Sequence, residues 1–153
     1  MSLFAPRSSG SKRTFWLASL VFLGGFVVFA KLTNTNPPTN SVQTSPDSSE
    51  LKTRVYKSTP DAAAQKIAAI SLSTYGRSWK LSALQHISPD EARLTFRVPV
   101  IVFTDILTVS ITRKNDEEIE VNIESHSQVG KGDFGENRRH AWQILGELDR
   151  LFA

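Results

Sequence analysis

The stretch from Ser125 to Arg139 holds a denser set of groups able to do chemistry than any other part of the chain. Gly130 lets a backbone approach a ligand closely, while Lys131 and Arg138 place positive charge beside a predicted helix start. Unpaired N–H groups at a helix start, together with nearby cations, can hold a phosphate or a carboxylate. This junction is therefore the first place to look for a binding site.

Asp133 supports a different interpretation of the same junction. It precedes Glu136 by three residues, which resembles a capping box and predicts the helix start, and there it would repel a bound anion. The glycines match neither the P-loop pattern nor the dinucleotide-binding pattern. The sequence therefore favours a structural junction between the last strand and the last helix. An anion or partner site remains the alternative.

The histidines and serines predict neither a metal site nor a hydrolase. His86, His126 and His140 show no H-x-x-x-H or H-E-x-x-H spacing, so they do not indicate metal ligation. Ser125 and His126 are adjacent, and neighbouring residues of a strand point to opposite faces, so they are poorly placed to share a proton. No metal and no cofactor are predicted.

Asp105 is the one carboxylate at the edge of a strongly apolar run. We expect it to pair with Arg138 or Arg139, or to cap a strand, because no second acid or base stands beside it in sequence. No catalytic residue is predicted on this basis. An enzyme that uses Asp105 as an acid or base stays open as an alternative, and it would require this carboxylate to lie in a cleft.

Two-residue alternation of apolar and polar positions predicts the strands that position these groups. A short strand is predicted over 53–57 and another over 79–87. Three further strands have apolar positions that face one way: Ala92, Leu94, Phe96 and Val98; Leu107, Val109 and Ile111; and Ile119, Val121 and Ile123. Alternation with short turns is typical of an antiparallel sheet with one covered and one wet face.

Two helices are predicted to cover the apolar face. Thr59 is a suitable N-cap before Pro60 at the first helical position, and Gly76 is the expected end of that helix. An apolar stripe over 134–152 predicts the second helix. The expected fold is α+β: four to five antiparallel strands, with one helix after the first strand and one C-terminal helix packed on the same face. Trp79 and Trp142 are expected to be core or sheet–helix contacts rather than a stacking platform.

The N-terminal part predicts a single membrane anchor. Residues 14–30 form an uncharged segment that is long enough to span a bilayer as a helix. This segment follows a basic tail over 1–13. The positive-inside rule then places the tail in the cytoplasm and the rest of the chain outside it. A signal peptide cleaved near Ala30 is the alternative, and it would export the domain as a secreted protein.

Composition separates the anchor from the folded domain. Residues 31–50 are rich in Asn, Thr, Ser and Pro, which predicts a disordered linker, and the domain is expected over 51–153. The net charge of +3 lies largely before residue 51, because the later part has 14 basic and 13 acidic residues. No nucleic-acid partner is predicted. The absence of cysteine excludes disulfides and thiol catalysis.

The motif S-x-S-Q-V-G-K-G-D-F-G-E-N-R-R, with F-T-D about twenty residues before it, resembles the domain of unknown function 1499 family. The resemblance covers roughly 55–151. It carries over these positions: Phe103, Asp105, Ser125, Ser127, Gly130, Asp133, Gly135, Asn137 and Arg138. Gln128 departs from the family pattern, which has Arg there. The resemblance implies no activity.

These observations together predict a membrane-tethered, extracytoplasmic domain that binds or interacts at the cell envelope without catalysis. The lipid bilayer is its expected partner through 14–30, and an envelope protein or a small anionic ligand is its expected partner through the junction. A carrier of a small apolar ligand or lipid, held between the sheet and the C-terminal helix, is the alternative.

Overall fold

A computed structural model describes residues 41–101, 103–128 and 135–153. The predicted tail over 1–13, the predicted anchor over 14–30 and the first ten residues of the predicted linker lie outside the described residues. Within the described part, no helix has the length and apolar character needed to cross a membrane.

The described residues form eight strands and two helices. The strands are β1 (Ser41–Gln43), β2 (Arg54–Lys57), β3 (Ser73–Thr74), β4 (Arg77–Ser78), β5 (Lys80–Ser88), β6 (Glu91–Pro99), β7 (Thr104–Arg113) and β8 (Glu118–Ser127). The helices are α1 (Pro60–Ala68), between β2 and β3, and α2 (Glu136–Leu151), after β8.

Six of the strands make one antiparallel sheet in the order β1-β8-β7-β6-β5, and β2 also pairs with β8. The inward positions of β6, β7 and β8 are fully buried, as the alternation predicts. The partners Leu94 and Val109 belong to one row of the core, and Val109 in turn lies opposite Ile123. The predicted α+β class and antiparallel sheet are confirmed.

Both helices pack on the apolar face of the sheet. Helix α1 contacts β5, β6 and β7, while α2 contacts β8, β1 and β7. Thr59 caps α1 as predicted, because its side chain accepts a hydrogen bond from the backbone N–H of Ala62 at 3.3 Å. The apolar stripe of α2, including Ile144, Leu145 and Leu148, is buried.

A cluster on the covered side fixes the C-terminal end of α2. Arg54 donates to both carboxylate oxygens of Asp149, with Nε 3.0 Å from Oδ1 and Nη2 3.1 Å from Oδ2, and the hydroxyl of Tyr56 donates to Oδ1 at 2.7 Å. Burial alone would raise the pKa of Asp149, but the hydrogen bonds from Arg54 and Tyr56 outweigh it and lower that pKa. Tyr56 also stacks on Phe152 with a centroid distance of 4.7 Å.

The end of helix α1 is a correction to the prediction. The helix ends at Ala68, and Gly76 instead lies in the turn of the β3–β4 hairpin. Tyr75 and Gly76 both have positive φ, 52° and 71°, which is the backbone that a tight two-residue hairpin turn needs. The glycine is a turn signal here rather than a helix stop.

The predicted linker is also shorter than expected at its C-terminal end. Ser41–Gln43 pairs with β8, and Thr44 is buried, with its hydroxyl 3.0 Å from the side-chain oxygen of Asn122. A strand with Val42 as its one apolar residue is stable here because it completes the edge of an existing sheet. Composition alone therefore misplaces the domain start, and residues 41–50 belong to the folded domain.

Candidate functional site

The strand register gathers the predicted site residues at one end of the sheet. Asp105 lies opposite Ser127, and Ser125 lies two residues earlier on the same strand. Helix α2 begins at that end, shortly after β8. We call this end, marked by Ser41, Pro99, Thr104 and Ser127, the signature end. Gly130, Lys131 and Asp133 lie outside the described residues.

Asn137 joins the last strand to the last helix. Its side-chain oxygen accepts a hydrogen bond from the hydroxyl of Ser125 at 2.7 Å, and its side-chain nitrogen donates to the hydroxyl of Ser127 at 3.0 Å. All three side chains are buried. An amide is well suited to this position because it can accept from one hydroxyl and donate to the other. The family motif therefore includes an internal clasp between β8 and α2.

His140 lies one turn further along α2, fully buried between two carboxylates. Its Nδ1 is 3.4 Å from Oδ2 of Asp105, and its Nε2 is 3.5 Å from Oε2 of Glu136. These distances exceed those of N–H···O hydrogen bonds, and within the described residues neither imidazole nitrogen has a hydrogen-bond partner. Trp79 packs edge-on against the imidazole at 5.8 Å. The row Asp105–His140–Glu136 thus crosses the interior beside the clasp.

The prediction that Asp105 pairs with an arginine is wrong. Asp105 is 2% exposed and faces His140 inside the core, whereas both arginines are engaged elsewhere. Arg138 forms an ion pair with Glu50, and Arg139 forms one with Glu136. The reason is helical spacing, since the buried face of α2 carries Asn137 and His140 and leaves both arginines outside it.

Tyr75 joins this network from the β3–β4 hairpin. Its hydroxyl donates a 2.9 Å hydrogen bond to Glu136, and the guanidinium of Arg139 lies 4.8 Å from the centre of its ring. Burial and then the hydrogen bond to Glu136 raise the pKa of Tyr75, so the phenol remains a donor. Gln143 adds a 3.0 Å hydrogen bond to the carbonyl of Ser73.

The start of helix α2 differs from the predicted capping box. The N-cap is Gly135, with φ of 86° in the left-handed region that favours glycine, and not Asp133. Glu136, the first helical residue, directs its carboxylate to Arg139 and Tyr75 rather than back to the cap. Arg138 and Arg139 are therefore already neutralised by carboxylates, which argues against a simple anion clamp.

The position of Trp142 is a further correction. It is half-exposed on α2 rather than part of the core, and it lies three residues after Arg139, so the two side chains are neighbours on the helix surface. Trp79 is buried as predicted, with its indole N–H donating to Thr74 at 2.7 Å.

Sequence reasoning missed His140, Glu136 and Tyr75 as members of this site. The available signal was spacing: Glu136 and His140 are four residues apart, and Asn137 and His140 are three apart, which places a histidine and an amide on the covering face of the helix. No comparable signal marks Tyr75, because the β3–β4 hairpin brings it there through the tertiary fold.

The arrangement gives little support to catalysis through Asp105. The carboxylate, the imidazole of His140 and the hydroxyl of Ser125 are all buried, and that hydroxyl donates to Asn137 rather than to His140. In the described part of the chain, no group of three or more His, Asp or Glu side chains has an arrangement that could hold a metal ion.

A family model described as "Protein of unknown function (DUF1499)" matches residues 30–148, more than half of the chain. The match confirms the resemblance drawn from the motif between Ser125 and Arg139. A search of curated proteins and a search of solved structures each gave no match.

Proposed function

The chain belongs to the DUF1499 family, and from this premise we propose that it is a membrane-tethered, extracytoplasmic binding module without catalytic activity. The tether is the uncharged segment over 14–30. The domain binds a protein of the cell envelope through a surface on α2 and the β3–β4 hairpin.

One observation carries this proposal: the polar motif residues are internal, while an arginine and two aromatic side chains stand outside them. Tyr75, Arg139 and Trp142 are partly exposed, with Arg139 over the ring of Tyr75 and three residues before Trp142. Tyr, Trp and Arg are the residue types that most often dominate binding at protein interfaces. We call these three residues the aromatic–arginine patch.

The internal network gives this patch a fixed shape. Glu136 holds both Tyr75 and Arg139, and the clasp at Asn137 fixes the first turn of α2 to strand β8. A surface whose side chains are already ordered loses less conformational entropy when a partner binds. The buried motif thus supports binding by positioning the patch.

The test is affinity capture from native membranes with the full-length protein as bait. Trp142→Ser combined with Arg139→Glu should abolish capture of the specific envelope partners. The matched control combines Ile87→Ser with Arg93→Glu. Arg93 has the same 46% side-chain exposure as Arg139 and is likewise paired with a glutamate, and Ile87 is as exposed as Trp142 but lies at the opposite end of the sheet.

Capture that is equal for the two double variants, with equal unfolding midpoints, would contradict the binding proposal. The tether is tested separately by membrane fractionation and N-terminal sequencing of the mature protein. A mature N-terminus at Lys31 would show that the segment over 14–30 is removed.

A further inference from the structure

The loop between β6 and β7 presents large apolar side chains at the signature end. Ile101 is 66% exposed and Phe103 is 52% exposed, more than any other large hydrophobic residue in the described part of the chain. Loops of this kind are usually polar, and exposed apolar groups that lie together mark interaction sites. This pair belongs neither to the aromatic–arginine patch nor to the core.

Hydrogen bonds to backbone groups hold the described residues of this loop, Val100, Ile101 and Phe103. The N–H of Val100 donates to the carbonyl of Phe103 at 2.9 Å, which closes the turn. Arg77 of the β3–β4 hairpin donates to the carbonyls of Val100 and Ile101. The carbonyls are thereby engaged with the protein, while the side chains of Ile101 and Phe103 stay outside.

The chain reaches the folded domain at this same end of the sheet. Ser41 pairs with His126, one residue before Ser127, and Pro99 and Thr104 flank the β6–β7 loop at that end. Ten residues separate the apolar segment ending at Ala30 from Ser41. Fully extended, ten residues span at most about 35 Å. A tether of that length allows the signature end to reach the bilayer surface.

We infer that the β6–β7 loop inserts Ile101 and Phe103 into the surface of the bilayer that holds the segment over 14–30. This inference rests on the membrane tether of the proposed function. Phenylalanine and isoleucine bury their side chains at the boundary between headgroups and acyl chains, where a tethered domain meets the lipid at high local concentration. Both inserting side chains are apolar, so insertion is expected even into a bilayer of phosphatidylcholine, which carries no net charge.

The absence of native cysteine permits a direct test with single labels on the full-length chain. Phe103→Cys, Ile101→Cys, Ile87→Cys and Leu20→Cys are each labelled with an environment-sensitive fluorophore. Each protein is reconstituted at one chain per nanodisc of phosphatidylcholine. Iodide reports exposure to water, and a brominated lipid reports contact with the acyl region. Ile87 is the control because it is 49% exposed but lies at the opposite end of the sheet.

Labels at positions 101 and 103 should be protected from iodide and quenched by the brominated lipid, as the label at position 20 is, while the label at position 87 shows the reverse. If the label at 20 is in lipid but those at 101 and 103 behave like the label at 87, the tether stands and loop insertion is overturned. If the label at 20 is itself quenched by iodide, the tether fails. Protection at 103 without lipid quenching indicates a protein contact and also overturns the inference.

Discussion

Replacing Asn137 with Ala tests whether the clasp between β8 and α2 stabilises the fold. The variant removes the acceptor of the Ser125 hydroxyl and the donor to the Ser127 hydroxyl. Ser125 is fully buried, so its unsatisfied hydroxyl costs about 1–3 kcal/mol, and the less buried Ser127 adds about 0.5–1 kcal/mol. The free energy of unfolding should therefore fall by about 1.5–4 kcal/mol.

Urea unfolding of the full-length protein in mild detergent, followed by tryptophan fluorescence, measures this loss. With a slope of about 2 kcal/mol per molar urea, the middle of the usual range, the midpoint should fall by about 1–2 M. Gln143→Ala is the matched control, because it removes one exposed amide of the same helix and one hydrogen bond, to the Ser73 carbonyl. Its cost should stay below about 1 kcal/mol.

A double-mutant cycle separates the hydrogen bonds from the change in shape. When Ser125 and Ser127 are both alanine, there is no buried hydroxyl to leave unsatisfied, and Asn137→Ala should cost much less than in the native background. An equal cost in the two backgrounds would refute the assignment of the clasp's stability to these hydrogen bonds. So would a cost for Asn137→Ala no larger than that of Gln143→Ala.

Three further predictions concern other parts of the domain. Gly76→Ala should lower the free energy of unfolding by about 1–2 kcal/mol, because the φ of 71° at this position lies in the left-handed region. Gly146→Ala should raise the free energy of unfolding by about 0.5–1 kcal/mol, because alanine favours the helix and open space surrounds this position in α2. Thermal unfolding of both variants checks the opposite signs. Arg54→Ala should cost up to about 1 kcal/mol at pH 6, because the lowered pKa of Asp149 adds stability while that carboxyl is ionised. The difference from the native protein should shrink as the pH falls from 3.8 through this lowered pKa. Urea midpoints at pH 6 and at a pH below the lowered pKa test this, and a constant difference would oppose it. His140→Leu should cost about 1–3 kcal/mol, since it leaves the buried polar group of Asp105 facing an apolar side chain, and a melting temperature close to that of the native protein would count against this role.

The long strands and the covering helices were predictable because each carries a strong period. Leu107, Val109 and Ile111 alternate without interruption, and Thr59 with Pro60 marks a helix start through local chemistry alone. Strand β1 was not predictable, because its three residues, Ser, Val and Gln, have no pattern of their own. Their extended form depends on β8 as a partner, which is a contact between distant parts of the sequence.

The candidate site was predictable in location but not in its pairings. The motif includes Asp105, Ser125 and Asn137, and the strand register and the clasp bring these three positions to one end of the sheet. The choice of His140 over an arginine as the neighbour of Asp105 depends on which face of α2 is covered. The apolar stripe of α2 begins at Ala141, so the polar residues of the first turn gave no apolar signal of their own, and the predicted cap at Asp133 was two residues early.

The pairing of β1 with β8 determines how the domain responds to a pull on its N-terminal side. Ser41 is the first residue of β1 and lies at the signature end, so a force that pulls the N-terminal side out of the domain at that end acts along the strand. The bonds from β1 to β8, and those from Thr44 to Ile123, then bear the load together in shear, rather than one after another as in unzipping. The short strand β1 thus resists this force, and the hydrogen bonds of Thr44 to Ile123 strengthen its attachment to β8.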